Sequence, residues 1–418
     1  MADRHFVYAR AALIASLVGG FVSAIWITPR LWARTTDYDR ELKELTAEAS
    51  SAGAPIADAA TRRAFTLYRR ATLTGRPEDF SATADAVISI VAGNGANGPN
   101  DDVALLKAAL DFRTHRLAAT RHDLAMVPNG NSDAQLMLAD VDLQDGLYDD
   151  ARQRYESAVG RAPTWSALAR LAYLTGLRGD ADGGDHLYEQ AEDDLTAKDM
   201  RAYAWVEVQR GWLQFSRGRY DEAASHYRLA NRAYSGYWLV DEYTAELLGA
   251  QRKFDAAIAL YEQVVARAAR PDLYQQLGDL CVMARKRREA VQWHDHALAG
   301  YLESAGRGEV QYFHHLAAFY SDVRIDGAEA VKWARKDLAI RHGYAAVDTL
   351  AWALYRHGET GEALVTVKRA LSSGMADSHL YYHAATIARA AGRTDDAGRY
   401  LAQLNDLNPK YNDFHVHR

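Results

Sequence analysis

Small and large residues recur along most of the chain with the spacing of paired helices, not with the alternation of strands. Aligned on an alanine in a helix that follows a turn, the copies give Ala151, Ala223, Ala257, Ala290, Ala330, Ala363 and Ala397. The steps are 72, 34, 33, 40, 33 and 34 residues; the first is two periods and hides a weaker copy centred on Gly184. Roughly twelve residues earlier, slightly more in two copies, a second small residue recurs at Ala139, Ala169, Gly211, Ala245, Gly278, Ala317, Ala351 and Ala385. Four residues after the alanine column stand Tyr155, Tyr188, Tyr227, Tyr261 and His294, then Ala334, Val367 and Leu401. Three further on lie Ala158, Ala191, Ala230, Val264, Ala297, Ala370 and Leu404, and Asp337 breaks the column. The turn between carries Gly146, Gly218, Gly358 or Gly392, often with an aromatic such as Tyr148 or Tyr220 two residues later; Phe254 fills that place in a copy without the glycine. Pro163 and Pro409 stand where a second helix must stop. The pattern predicts helix–turn–helix units: small residues let two helices approach closely and large ones fill the space around them.

This arrangement resembles the tetratricopeptide repeat, a helix–turn–helix unit of about 34 residues. The clearest copies read LADVDLQDGLYDDARQRYESAVGRAP from Leu138, RGWLQFSRGRYDEAASHYRLA from Arg210 and LGDLCVMARKRREAVQWHDHAL from Leu277. Eight copies cover Ser132 to Tyr411, and two degenerate helical pairs precede them in Ala59–Val91 and Asp101–Leu124. The resemblance implies an all-α fold, an α-solenoid in which no unit buries its apolar face alone and neighbours must stack. It says little about function, because the matching residues are those that pack.

The N-terminus breaks the pattern. Ala11 to Thr28 carry no charge, and Pro29 and Arg30 close the run. As a helix it would span about 27 Å, just enough for a bilayer core of roughly 30 Å. Trp26 and Trp32 sit at its C-terminal edge, where indole rings favour the interface. The reading adopted is an uncleaved transmembrane anchor with the bulk on the extracytoplasmic, periplasmic side. The alternatives are a signal peptide cleaved after Val22-Ser23-Ala24, or a buried helix of the soluble domain. The expected organisation is an anchor over 1–34, a juxtamembrane segment and linker over 35–57, degenerate pairs over 58–130, eight units over 131–411 and a tail over 412–418. Soft boundaries fall at Ser50–Pro55 (SSAGAP) and Gly93–Asp102 (GNGANGPNDD).

Composition narrows the function. Of 418 residues, 49 are Lys or Arg and 55 Asp or Glu, a formal charge of −6, which argues against a dedicated nucleic-acid binder. A single cysteine, Cys281, excludes an internal disulfide and a Cys-rich zinc site. Gly93, Gly95 and Gly98 form GxGxxG, but Asp101 and Asp102 follow and would repel a pyrophosphate, so a loop is the better account. Asp180, Asp182 and Asp185 hint at a calcium loop, yet that motif needs glycine at 185 and glutamate at 191; they read as turn and helix-start residues. His379 and His383 are spaced i, i+4 and could share a metal, whereas His294/His296, His415/His417 and His314/His315 diverge. No hydrolase, zinc-protease or phosphate-loop motif stands in readable context, so no cofactor and no enzymatic activity are expected.

By the resemblance, the first helix of each unit lines the concave side. Helical periodicity then places Arg170, Tyr173, Trp205, Trp212, Phe215, Glu242, Glu246, Gln275, Asp279, His314 and Asp322 on the groove. Toward the C-terminus it adds Asp348, Trp352, Tyr355, Arg356, His379, Tyr382 and Arg389. Several of the aromatics, Trp212 and Trp352 among them, could instead pack between units. The chaperone-tail carboxylate clamp of some relatives needs Lys and Asn on these helices; Asn is missing, and an acidic, aromatic groove favours a basic or apolar peptide. The leading expectation is a membrane-tethered scaffold for a protein or extended peptide. The rivals are a metal-handling or enzymatic protein using the groove, and a cytoplasm-facing assembly factor on the same anchor.

Overall fold

A computed structural model describes residues 35–51, 57–94 and 100–413. The chain divides into two units, Met1–Thr35 and Thr36–Arg418. The apolar run 11–28, most of the SSAGAP segment, residues 95–99 of GNGANGPNDD, and His415 and His417 lie outside the described residues. Among the described residues no helix is long and apolar enough to cross a membrane.

The second unit is built of 21 described helices, with no strand among the described residues. Helix α1 (Asp37–Ser51) comes first, then the pairs α2 (Ala57–Thr74) with α3 (Pro77–Asn94) and α4 (Asp101–Arg113) with α5 (Leu117–Leu124). Eight further hairpins follow. They are α6 (Ser132–Gln144) with α7 (Tyr148–Arg161), α8 (Trp165–Leu177) with α9 (Ala181–Asp193), α10 (Met200–Phe215) with α11 (Tyr220–Ala233), and α12 (Trp238–Ala250) with α13 (Phe254–Arg267). The last four are α14 (Pro271–Met283) with α15 (Arg287–Gly306), α16 (Phe313–Asp322) with α17 (Gly327–Leu338), α18 (Tyr344–His357) with α19 (Thr360–Leu371), and α20 (Ser378–Ala390) with α21 (Thr394–Leu407).

The small-residue columns lie where the two helices of each unit cross. Ala139, Ala151, Ala223, Ala245, Ala257, Ala317, Ala330, Ala351 and Ala363 are fully buried. A Cβ on Gly211 would sit 2.2 Å from the Tyr227 ring, and one on Gly278 would sit 2.2 Å from the His294 ring. The glycines thus stand where a large partner ring from the second helix occupies the crossing. Asp337 breaks its column for a local reason: Arg341, four residues on, donates to both of its oxygens at 2.6 and 2.8 Å in a buried pair.

The stretch expected as a juxtamembrane segment forms helix α1 from Asp37 onward and packs into the core. Its apolar residues Tyr38, Leu42, Leu45 and Ala49 fall at i, i+4, i+7 and i+11, one face of a helix, and Tyr38 and Leu45 are buried. Its first residue is latched far along the chain: the Asp37 carboxylate accepts from Ser235 N–H (3.0 Å) and Oγ–H (2.7 Å), which holds it below the usual carboxylate range.

That latch is one of a series. Tyr234 donates to Glu41, Arg76 donates to the Arg267 carbonyl at 2.8 Å, Tyr148 Oη accepts Tyr344 N–H at 2.6 Å, and Tyr220 donates to Asp413 at 3.1 Å. The sequence separations are 193, 191, 196 and 193 residues. A near-constant offset means a regular superhelix whose successive turns touch, about six units of ~34 residues to a turn. Backbone joins backbone along this seam: Gly343 N–H donates to the Gln144 carbonyl (2.9 Å) and Ala376 N–H to the Leu177 carbonyl (2.8 Å). Turn glycines lie on it. Gly146 (φ +80°) has the His342 carbonyl oxygen 3.2 Å from where a Cβ would be.

Candidate functional site

Because the seam closes each turn, the first helices face an interior and not an open arc. Five successive first helices, α12, α14, α16, α18 and α20, wall a cavity of about 470 Å³. Glu242, Gln275, His314, Asp322, Asp348, Trp352 and His379, all placed on the groove by periodicity, line it. A second cavity of about 210 Å³ brings Tyr173, Trp212, Phe215 and Glu246 together with His379, Tyr344 and Tyr411, and so spans two superhelical turns.

Trp352 organises the larger cavity. Its indole N–H donates to both oxygens of Asp322 (3.0 and 3.1 Å), and its face stacks on His383 with ring centroids 4.2 Å apart. His383 Nδ1 in turn meets Asp348 Oδ2 at 2.8 Å. Burial alone would lower the His383 pKa, but the Asp348 carboxylate outweighs it and holds the imidazole above its usual value. Burial raises Asp322 despite the indole bond. Glu242 is pushed up to about 8 by burial, with Arg270 opposing and Asp272 and Glu246 adding to the rise. Arg270 is not free to neutralise it, because its guanidinium is bonded to Asp272.

The other predicted residues divide. Tyr173 and Tyr382 remain 36% and 37% exposed, and the desolvation that Tyr173 does suffer pushes its hydroxyl up to about 12. Tyr173 lies 6.0 Å from the half-buried Trp212, and Tyr382 lies 5.2 Å from Tyr411. Tyr355 packs on Trp352, and Arg356 donates to the Ser321 carbonyl at 2.7 Å. Arg389 is exposed in the last turn of α20.

Four residues are taken up by packing, Phe215 while also bordering the smaller cavity. Phe215 is buried and stacks on Tyr220, and Trp205 packs against Trp165 between α8 and α10. Arg170 is held by Asp140 at 2.9 Å, which also accepts from Tyr155 at 2.7 Å. Asp279 accepts from His294 at 2.9 Å. Periodicity identifies a helix face, but it cannot separate the part that meets the neighbouring unit from the part that meets the interior.

Sequence reasoning missed Arg270, Asp272, His315, Tyr344 and Asp377 on the cavity wall. Arg270, Asp272, Tyr344 and Asp377 stand at first-helix N-termini, where the Pro271 start of α14 is a visible signal; no signal in the sequence showed that these ends turn inward. His383 bonds Asp348, whereas His379 Nδ1 lies 3.3 Å from Tyr411 Oη, so the i, i+4 pair is divided between two partners. Among the described residues no group of three His, Cys, Asp or Glu is arranged to hold a metal ion.

No protein-family model matches the chain, and no curated protein matches it. Among solved structures it is similar to a chain of the APC/C hetero-tetramer Cut9–Hcn1 (17% identity, 77% of this chain and 60% of that one, TM-score 0.47). It is also similar to yeast Tom70 (13% identity, 87% and 92%, TM-score 0.39) and to MamA (18% identity, 40% and 97%, TM-score 0.33). The chain thus spans about 60% of the length of the first of these. The architecture described above rests on the hairpins themselves and not on these likenesses.

Proposed function

We propose that this protein is a non-enzymatic interaction scaffold whose interior face holds an extended peptide or protein segment, and that the apolar run 11–28 tethers it to a membrane with the repeats outside the cytoplasm. The observation that carries the binding reading is the state of the interior aromatics. Tyr173 and Tyr382 keep more than a third of their surface accessible beside the rings of Trp212 and Tyr411, and Trp352 stands half-buried over a cavity of about 470 Å³. Packing between units would have buried them; aromatic surface on rigid helices instead supplies binding area at low entropic cost. The tether rests on the charge-free run and its flanking tryptophans.

A photo-crosslinking amino acid tests the binding reading. Placed at Tyr382 it captures a partner in cells, while at Val365, 71% exposed, it does not. Capture at Val365 with none at Tyr382 moves the site off the interior. A phosphatase fused after residue 418 tests the tether: it is active on the proposed side, and phosphatase silence with a bright cytoplasmic reporter reverses the orientation.

A further inference from the structure

We infer, on the basis of that peptide-binding reading, that the larger cavity receives a basic side chain, arginine or lysine, of the bound segment, and that Asp348 is its anchor. Asp348 is only 7% exposed and lines the cavity. Its Oδ2 meets His383, while its buried Oδ1 has no hydrogen-bond partner among the described residues. A buried carboxylate oxygen without a donor is a costly arrangement in a finished fold. It is natural where the donor arrives with a ligand.

The surrounding charge selects the kind of donor. Five carboxylates and a single guanidinium line the cavity, and that guanidinium, Arg270, is bonded to Asp272. Beyond that pair, the carboxylates of Glu242, Asp322, Asp348 and Asp377 share the wall with four histidines, of which His383 is bonded to Asp348. Arg356 reaches only the edge of this group: its Nε is 3.8 Å from Asp322 and is spent on the Ser321 carbonyl. With no three-ligand metal arrangement among the described residues, an organic cation fits better than a metal ion. The aromatic wall at Trp352 suits such a cation, whose flat or alkyl portion packs on rings while its N–H groups meet the carboxylate.

The test selects peptides from a library of random dodecapeptides displayed on phage, using the full chain in detergent. Synthetic copies of the binders are then titrated by calorimetry, with arginine replaced by citrulline or lysine by acetyl-lysine. The expected result is an excess of basic residues among the binders and a loss of about tenfold or more on neutralisation, the scale of a buried charge-assisted hydrogen bond. Asp348→Asn should bind the charged and neutral peptides alike; if that variant fails to fold, the neutralised peptides still decide the matter. Binders without basic residues, or equal affinity for charged and neutral versions, overturn the inference. If such neutral binders are lost on Trp352→Ala, the groove reading survives alone; if no peptide binds at all, both fall.

Discussion

Replacing Gly146 with alanine strains the protein twice, once at its own backbone and once against the next superhelical turn. Gly146 sits at φ +80°, and an L side chain in that left-handed region costs roughly 1–2 kcal/mol. Gly358, the corresponding turn glycine of a later unit, sits at φ +95°, and its added Cβ would meet nothing within 4 Å among the described residues. Gly358→Ala therefore measures the backbone cost alone. At Gly146 the new methyl group would lie 3.2 Å from the His342 carbonyl oxygen and 3.4 Å from Gly343 Cα, both main-chain atoms held by the seam. If the seam parts, the Gly343 N–H loses the Gln144 carbonyl (2.9 Å) and the Tyr344 N–H loses Tyr148 Oη (2.6 Å). Two such bonds are worth about 1–3 kcal/mol together, so Gly146→Ala should cost that much more than Gly358→Ala. Urea unfolding of both variants gives the difference, and hydrogen exchange at the Gly343 and Tyr344 amides shows whether the seam has opened. Equal destabilisation with both amides still protected would refute the reasoning.

Three further outcomes follow from the same geometry. Arg252 takes a left-handed turn position (φ +62°) that glycine fills in other units, so Arg252→Gly should stabilise by about 1 kcal/mol in urea titrations. Asp337→Ala leaves the Arg341 guanidinium buried without its carboxylate and should cost about 3–5 kcal/mol by the same assay, while Asp337→Ala with Arg341→Leu recovers much of the loss. Glu242 has its folded pKa raised to about 8 from a reference of 4.5, so between those values the native state binds the extra proton and stability falls as pH rises. Glu242→Gln should remove that part of the pH dependence in unfolding curves taken across the window; an unchanged slope would show that Glu242 ionises normally.

The hairpins were legible because each is local. The small residue that lets α10 and α11 cross, Gly211, and the ring that fills the crossing, Tyr227, lie in one unit and recur at fixed offsets. The seam was not legible, since Tyr148 and Tyr344 are 196 residues apart and neither departs from what its own unit requires. Closure of the superhelix decides what the first helices face, so it also decides how the residues placed by periodicity divide between cavity and packing. Trp352, Asp348 and Glu242 lie on the interior part of their helices, whereas Trp205, equally well placed by periodicity, meets Trp165. Helix α1 was legible in Tyr38, Leu42, Leu45 and Ala49, but its mixed charges read as a membrane-proximal spacer. The bonds to Ser235 that fix it in place are long-range and leave no mark in the sequence.

Spin labels at Leu147 and His342 test the closed superhelix most directly. Both residues are exposed, both border the seam where His342 Nδ1 lies 3.3 Å from the Asp145 carboxylate, and the lone native thiol, Cys281, is buried away from the labelling reagent. A dipolar measurement should give a single narrow distribution at near-contact separation, sharpened or unchanged in the presence of a bound peptide. A broad distribution at long distance would mean that successive turns do not touch, and the enclosed interior site would not exist.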